Sequence, residues 1–255
     1  MDKRLADFEA RCTSARQSPP DLSNVMARIY ATLAMTPSAA FVATNERVIA
    51  LMTIEAATTE PQYHNRYHVQ DVVEAAALLL STAADDMIPP HDRHALLTAA
   101  LAHDLLHDGQ AFLSEPELEW RSARNLVSIG RACGLPEGTL RLMETLIVST
   151  FPPLQMSLRA NMQATDVVEP ASLLKLLLGE ADVLASLTPR LGVRLSKCLE
   201  EEWTAAGIHF SPSPSSLDGR RQFLSAYRQL SAAAIELGVG RMIAEQLGFH
   251  AGDRS

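Results

Sequence analysis

Apolar residues recur at three- and four-residue spacing along most of this chain, and no β-branched run alternates with polar residues. That period places side chains on one face of a helix and leaves strands without a pattern, so the expected fold class is all-α, a compact multi-helix bundle. The clearest stripe is Val72, Val73, Ala76, Leu79 and Leu80, within a helix expected over 69–83. A helix is expected from Asp21 after Pro19-Pro20. Another runs from His91 or Asp92 through Leu96, Leu97, Ala100 and Leu101 into His103-Asp104, with Gly109 marking its end. Further helices are expected over 115–132, 136–149, 169–186, 189–206 and 219–237.

No repeat or low-complexity tract divides the 255 residues. One domain over 1–255 is therefore expected, with accessory helices over 1–60, a central unit over 61–190 and C-terminal helices over 191–250. The segment 207–219, GIHFSPSPSSLDG, is the one long stretch of turn chemistry and reads as a mobile loop at the rim of a site.

A net charge of −8 without a long basic run argues against binding a nucleic-acid polymer, which needs clustered Lys and Arg, so a small substrate fits better. Cys12, Cys133 and Cys198 are odd in number and far apart, which suggests reduced thiols and neither a disulfide framework nor a cysteine zinc site. The first residues lack an apolar signal core, and no run approaches the roughly 18 apolar residues of a membrane span. A cytoplasmic protein with no membrane partner is the expectation.

Chemistry concentrates in two short strings. Tyr63-His64-Asn65-Arg66-Tyr67-His68 runs from a loop into a helix, and if its start is helical, His64 and His68 project from nearly one face. His103-Asp104-Leu105-Leu106-His107-Asp108-Gly109 repeats the i, i+4 histidine spacing and adds a carboxylate. A lone histidine on an apolar helix is more often a satisfied core residue than a ligand. Here an imidazole and a carboxylate adjoin on a face that otherwise reads as buried, where both would be costly unpaired, and a metal removes that cost. Imidazole and carboxylate together suit first-row divalent cations. A remaining ligand could come from Glu180-Ala181-Asp182 in the Leu-rich segment that follows, although an acid on a solvated face is an equal reading there.

The strings YHN-x-x-H-x-x-DV and HD-x-x-H-x-G, followed by Ala181-Asp182, resemble the catalytic domain of class I cyclic nucleotide phosphodiesterases, a branch of the HD superfamily. The resemblance covers roughly Tyr63 to Asp182, with a looser echo to Phe223. It implies two divalent metal ions (Zn, Mn, Mg or Fe), with His68, His103, Asp104 and Asp182 as ligands of the tighter one, and Asp104 bridging to the second. It makes His107 a catalytic residue facing the second ion through water and His64 the general acid. It further implies that Glu119 holds and charges His64; the plain alternative is a surface acid near a helix start. Tyr63, Arg220 and Phe223 become the expected substrate-contacting residues, and the substrate a small phosphorylated nucleotide.

Departures fall on base recognition. Where the phosphodiesterases carry a purine-reading glutamine three residues before a clamping phenylalanine, this chain has Arg220 before Phe223, so Arg220 either selects an anionic or acceptor-rich substrate or points to solvent. An asparagine after the Ala-Asp pair is absent, with Val183-Leu184-Ala185 in its place, and Ser149-Thr150-Phe151 stands where the family has a Thr-Asp pair. The expected activity is hydrolysis of a phosphodiester of a small nucleotide. The alternatives are an HD-type nucleotide phosphomonoesterase and a non-catalytic metal or ligand sensor, against which a general acid at His64 counts.

Overall fold

The computed structural model describes residues 1–57, 60–83, 88–110, 115–163 and 169–248. Among them are thirteen helices and no strand: α1 (Lys3–Ala15), α2 (Leu22–Thr32), α3 (Ala39–Ala56), α4 (Arg66–Thr82), α5 (Pro90–Ala102), α6 (Glu117–Ala132), α7 (Glu137–Val148), α8 (Pro152–Gln163), α9 (Pro170–Leu187), α10 (Leu191–Ala205), α11 (Leu217–Ala226), α12 (Ala232–Glu236) and α13 (Val239–Gln246). The all-α expectation holds among the described residues. None of these helices is long and apolar enough to cross a membrane.

Local chemistry sets the helix starts. Side chains of Asp2, Asp21, Ser38, Asn65, Ser216 and Ser231 each accept a backbone N–H from the first turn, removing an otherwise unpaired donor. Each such cap is worth about 1 kcal/mol. α5 and α9 instead carry proline in the first turn, where a missing N–H costs nothing.

Three helices make the centre. α5 is buried from His94 to Ala102, and α4 and α9 are buried over most of their length, so all three are apolar on nearly every side. α4 packs on α9 and α5, α5 also on α7, and α6 on α7. α1 and α2 cover α4, and α3 covers α5 and α6. Leu5, Phe8, Leu79, Leu97, Leu101 and Leu126, all fully buried, belong to one core cluster.

Three expectations are corrected. The helix expected through His103-Asp104 ends at Ala102, and Gly109, with φ 76°, belongs to the loop beyond it. α8 was not anticipated; its Pro152-Pro153 start reads as a break but is compatible with a first turn. The single helix expected over 219–237 is broken between α11 and α12, and the break lets Ser231 cap α12 while meeting α9. Ser231 N–H donates to Glu180 Oε1 at 2.6 Å and its hydroxyl to Oε2 at 2.6 Å.

Candidate metal centre and active site

Asn65 organises the first string. Its Oδ1 accepts Tyr67 N–H at 3.0 Å and His68 N–H at 3.2 Å, while its Nδ2 donates to the carbonyls of Pro61 (3.2 Å) and Gln62 (2.9 Å). The cap places His68 in the first turn of α4 and leaves His64 before it. The two histidines therefore do not share a helical face; their rings stand 5.7 Å apart and edge to face.

The second string is a tight turn after α5. Leu106 takes a left-handed φ of 66°, rare for a residue with a Cβ and costing about 1–2 kcal/mol. The turn brings Asp104 to the end of α5 beside His103 and carries His107 back to His64, where the two imidazoles stack with centroids 3.8 Å apart. Gly109 follows at positive φ, and a Cβ there would lie 3.3 Å from Glu202 Cγ, which accounts for the glycine of the string.

Four possible ligand atoms converge from α4, α9 and this turn. His68 Nε2 lies 3.2 Å from Asp104 Oδ2 and 3.1 Å from Asp182 Oδ1, and His103 Nε2 lies 3.1 Å and 3.5 Å from the same two atoms. The two Nε2 atoms are 3.2 Å apart. Donors about 2.1 Å from a common centre are about 3.0–3.4 Å from one another, so this spacing suits a divalent cation. The tautomer fits as well. His103 Nδ1 lies 2.9 Å from the Ala100 carbonyl, an acceptor only, so Nδ1 carries the proton and the Nε2 lone pair faces the cluster. Asp104 Oδ2 is buried with no hydrogen-bond partner despite its close imidazoles, the geometry of atoms aimed at a shared point rather than at each other.

Electrostatics report the same convergence. Burial alone would lower the pKa of His68, but Asp104 and Asp182 carry it up to about 9, and they raise His103 too. Burial alone would raise the two carboxylates, but the imidazoles hold both well below the usual range. Asp182 and Glu180 stand two residues apart on α9, about 200° around the helix. Asp182 therefore joins the cluster while Glu180 holds Ser231, the cap of α12.

The partner of His64 corrects an expectation. It is Glu202 of α10 whose Oε1 faces His64 Nδ1, and whose Oε2 accepts the N–H groups of Tyr63 (2.7 Å) and His64 (3.0 Å). Burial would raise the Glu202 pKa, but the His64 ring and these two amides bring it below the ordinary carboxylate value. Glu119, expected in this place, lies in the first turn of α6 and has no bond to His64 among those described. Burial and the charges of Asp104 and Asp182 push its pKa up to about 7. Sequence reading missed Glu202 because Glu200-Glu201-Glu202 looks like a solvated helix face. His107 Nδ1 accepts Gly109 N–H at 3.1 Å, and burial and His64 push its pKa down to about 4.

Beside this centre lies a cavity of about 300 Å³ lined by Tyr63, Ser186, Leu199, Trp203, Phe210 and Phe223, among others. Tyr63 and Trp203 each adjoin a residue of the His64–Glu202 pair, and Ser186 stands one helical turn after Asp182. The Tyr63 hydroxyl and Ser186 Oγ are hydrogen-bonded at 2.8 Å. Gly219, Gln222, Phe223 and Ala226 form the cavity-facing side of α11. Arg220 does not belong to that side, which corrects its expected substrate role. Its side chain is buried. Its guanidinium bonds the Ser186 carbonyl, donates to the Thr188 carbonyl at 2.9 Å and donates to Gln246 Oε1 at 2.9 Å, closing the C-terminal end of α9. Gln222 is the amide-bearing residue of the cavity lining.

In fold this chain is similar to the catalytic domains of phosphodiesterases, and the comparison reaches its histidine strings as well. Residues 63–115, which span both histidine strings, match the 3'5'-cyclic nucleotide phosphodiesterase family. Among solved structures, the phosphodiesterase domain of the RhoPDE fusion protein from the choanoflagellate Salpingoeca rosetta has a TM-score of 0.65 at 18% identity, over 95% of this chain and 89% of that one. A second structure, of the phosphodiesterase domain of Salpingoeca rosetta rhodopsin phosphodiesterase, gives 0.64 at 18% identity, over 95% and 86%. LmjPDEB1, solved in complex with IBMX, gives 0.57 at 15% identity, over 82% and 85%. No match was found among curated protein sequences.

Proposed function

We propose that this chain hydrolyses a phosphodiester of a small nucleotide, with a 3',5'-cyclic nucleotide as the first candidate. The observation that carries the reading is the pairing of His64 with Glu202 beside a four-atom cluster, the His64 ring 5.7 Å from that of His68, a combination that a passive metal site does not require. In this reading His68, His103, Asp104 and Asp182 would hold a divalent cation, with Asp104, His107 and Glu119 the residues that would serve a second. Bound divalent cations supply Lewis acidity, lowering the pKa of water and offsetting charge on the phosphoryl oxygens.

The remaining chemistry is the work of side chains. Glu202 fixes the His64 ring through Nδ1, leaving Nε2 free to deliver a proton to the departing oxygen. The stacked His107 confines the ring from one face. The aromatic cavity takes the base, with Phe223 against its face and Gln222 at its rim, while the Arg220 guanidinium is engaged by carbonyls at the end of α9.

The test is turnover by the purified protein, loaded in turn with Mn, Mg or Zn, of cyclic nucleotides, linear dinucleotides and nucleoside monophosphates. Hydrolysis of a diester is expected. Turnover of monophosphates alone would establish the phosphomonoesterase reading, and stoichiometric metal without any turnover would establish a sensor.

A further inference from the structure

One wall of the aromatic cavity is the strap 207–216 rather than a helix, and it has little regular structure to hold it. Backbone bonds secure its two ends: Ile208 N–H to the Trp203 carbonyl at 2.7 Å and Ser216 N–H to the Ser213 carbonyl at 3.0 Å. Between these ends Phe210, Pro212 and Pro214 face the cavity. Proline supplies no N–H for anchoring. Phe210 leans on Trp203 with ring centroids 4.4 Å apart.

The anchor of the middle is a carboxylate. Glu200 receives the Ser213 hydroxyl on Oε1 and the Ser215 hydroxyl on Oε2, and these two hydroxyls hold its pKa below the usual value. Glu200 lies on the face of α10 that also carries Ser196, Leu199 and Trp203 toward the cavity, at i, i+3, i+4 and i+7. Its placement is opposite in sense to that of Glu202, two residues on, which turns to His64. A half-exposed glutamate with both oxygens engaged by alternate residues of one strap is a clamp, since two bonds from one side chain remove rotation that a single bond would allow. Gly219 makes the approach possible at the other end: a Cβ there would come within 2.0 Å of the Ser213 carbonyl oxygen.

We infer that Glu200 is a positioning residue for specificity: it holds the 210–214 wall against Trp203 and so sets the affinity for the base of the substrate, leaving the hydrolytic step unaffected. The inference rests on the phosphodiesterase reading above and adds the residue that shapes its base cavity.

The experiment compares wild type, Glu200→Ala and Glu200→Gln, each in the metal-loaded protein, on a 3',5'-cyclic nucleotide and on the corresponding methyl riboside cyclic phosphate, which has no base. For Glu200→Ala, KM for the nucleotide should rise roughly tenfold, about 1.4 kcal/mol, with kcat within about twofold. KM for the baseless substrate should not move. Glu200→Gln keeps one acceptor oxygen and should fall between the two. Hydrogen exchange across 207–216 should quicken in the Ala variant. If Glu200→Ala does not fold, the double variant Ser213→Ala with Ser215→Ala removes the same bonds from the strap side and is held to the same outcomes. An equal KM rise on both substrates, a fall in kcat at constant KM, or unchanged exchange in the strap would overturn the inference. Failure of the wild type to turn over either substrate would sink the phosphodiesterase reading instead, and the exchange measurement would then decide alone whether Glu200 holds the strap.

Discussion

Glu202 engages His64 twice, taking its backbone N–H at 3.0 Å and facing its Nδ1 with the other oxygen, while also accepting Tyr63 N–H at 2.7 Å. Backbone and ring of one histidine are thus held by a single carboxylate 138 residues away in the chain. The two backbone amides hold the carboxylate in place, and its other oxygen orients the ring through Nδ1.

Glu202→Gln should therefore keep the metal and the fold but slow turnover by something like 10² to 10⁴, the range for general acid catalysis. A substrate with a nitrophenolate leaving group needs little protonation and should be spared most of that loss. Glu119→Gln, in contrast, should not distinguish the two leaving groups. Equal losses on both substrates in Glu202→Gln would remove the acid role of His64.

Asp104→Ala should abolish turnover and lower metal content, since Oδ2 of Asp104 lies within 3.2 Å of both imidazole nitrogens and has no other partner. Elemental analysis of the purified variant reads this directly. An unchanged stoichiometry would take Asp104 out of the site.

Arg220→Gln should act on stability rather than on substrate choice. The substitution strips charged hydrogen bonds from two buried carbonyls at the end of α9, a loss of roughly 2–3 kcal/mol. Denaturant unfolding should show that decrease, while the ratio of kcat/KM between adenine and guanine substrates stays constant. A change in that ratio would return Arg220 to the cavity.

His94 gives a pH dependence remote from the metal. It is buried between Tyr30 and Phe41, ring centroids 5.5 Å and 5.3 Å away, with its Nδ1 unpartnered, and burial, with His91 adding to it, lowers its pKa. The folded state then binds fewer protons than the unfolded chain below the ordinary histidine pKa of about 6.5, so stability falls as pH falls through that value. His94→Phe fills the same aromatic gap without a titrating ring. Its Tm should drop less than that of the wild type between about pH 7.5 and about pH 5.5, and an equal drop in both would exclude His94 as the cause.

What the sequence determined alone is what local chemistry encodes. The 3.6-residue period sets an all-helical pattern, Asn65 sets the start of α4 through its own cap, and His103-Asp104 sets an imidazole beside a carboxylate. These depend on residues within a turn of one another. Helix ends were less legible at α8 and between α11 and α12, where a proline pair can begin a helix as well as end one and where the break is stabilised by Glu180, 51 residues from Ser231.

Tertiary structure alone decided which acids meet which partners. Glu119 and Glu202 are both glutamates on helices, and nothing within a turn of either says which reaches His64; the crossing of α10 past the start of α4 selects Glu202. Glu180 and Asp182 look alike in an apolar run, and only the neighbours of α9 on its two sides send one to α12 and the other to the cluster. Arg220 was readable as a charge but not as a direction, because the carbonyls it closes, at Ser186 and Thr188, lie 34 and 32 residues earlier and come within reach only when α11 packs beside the end of α9. A charged side chain settles where its desolvation is compensated, and the compensating groups here are distant in the chain.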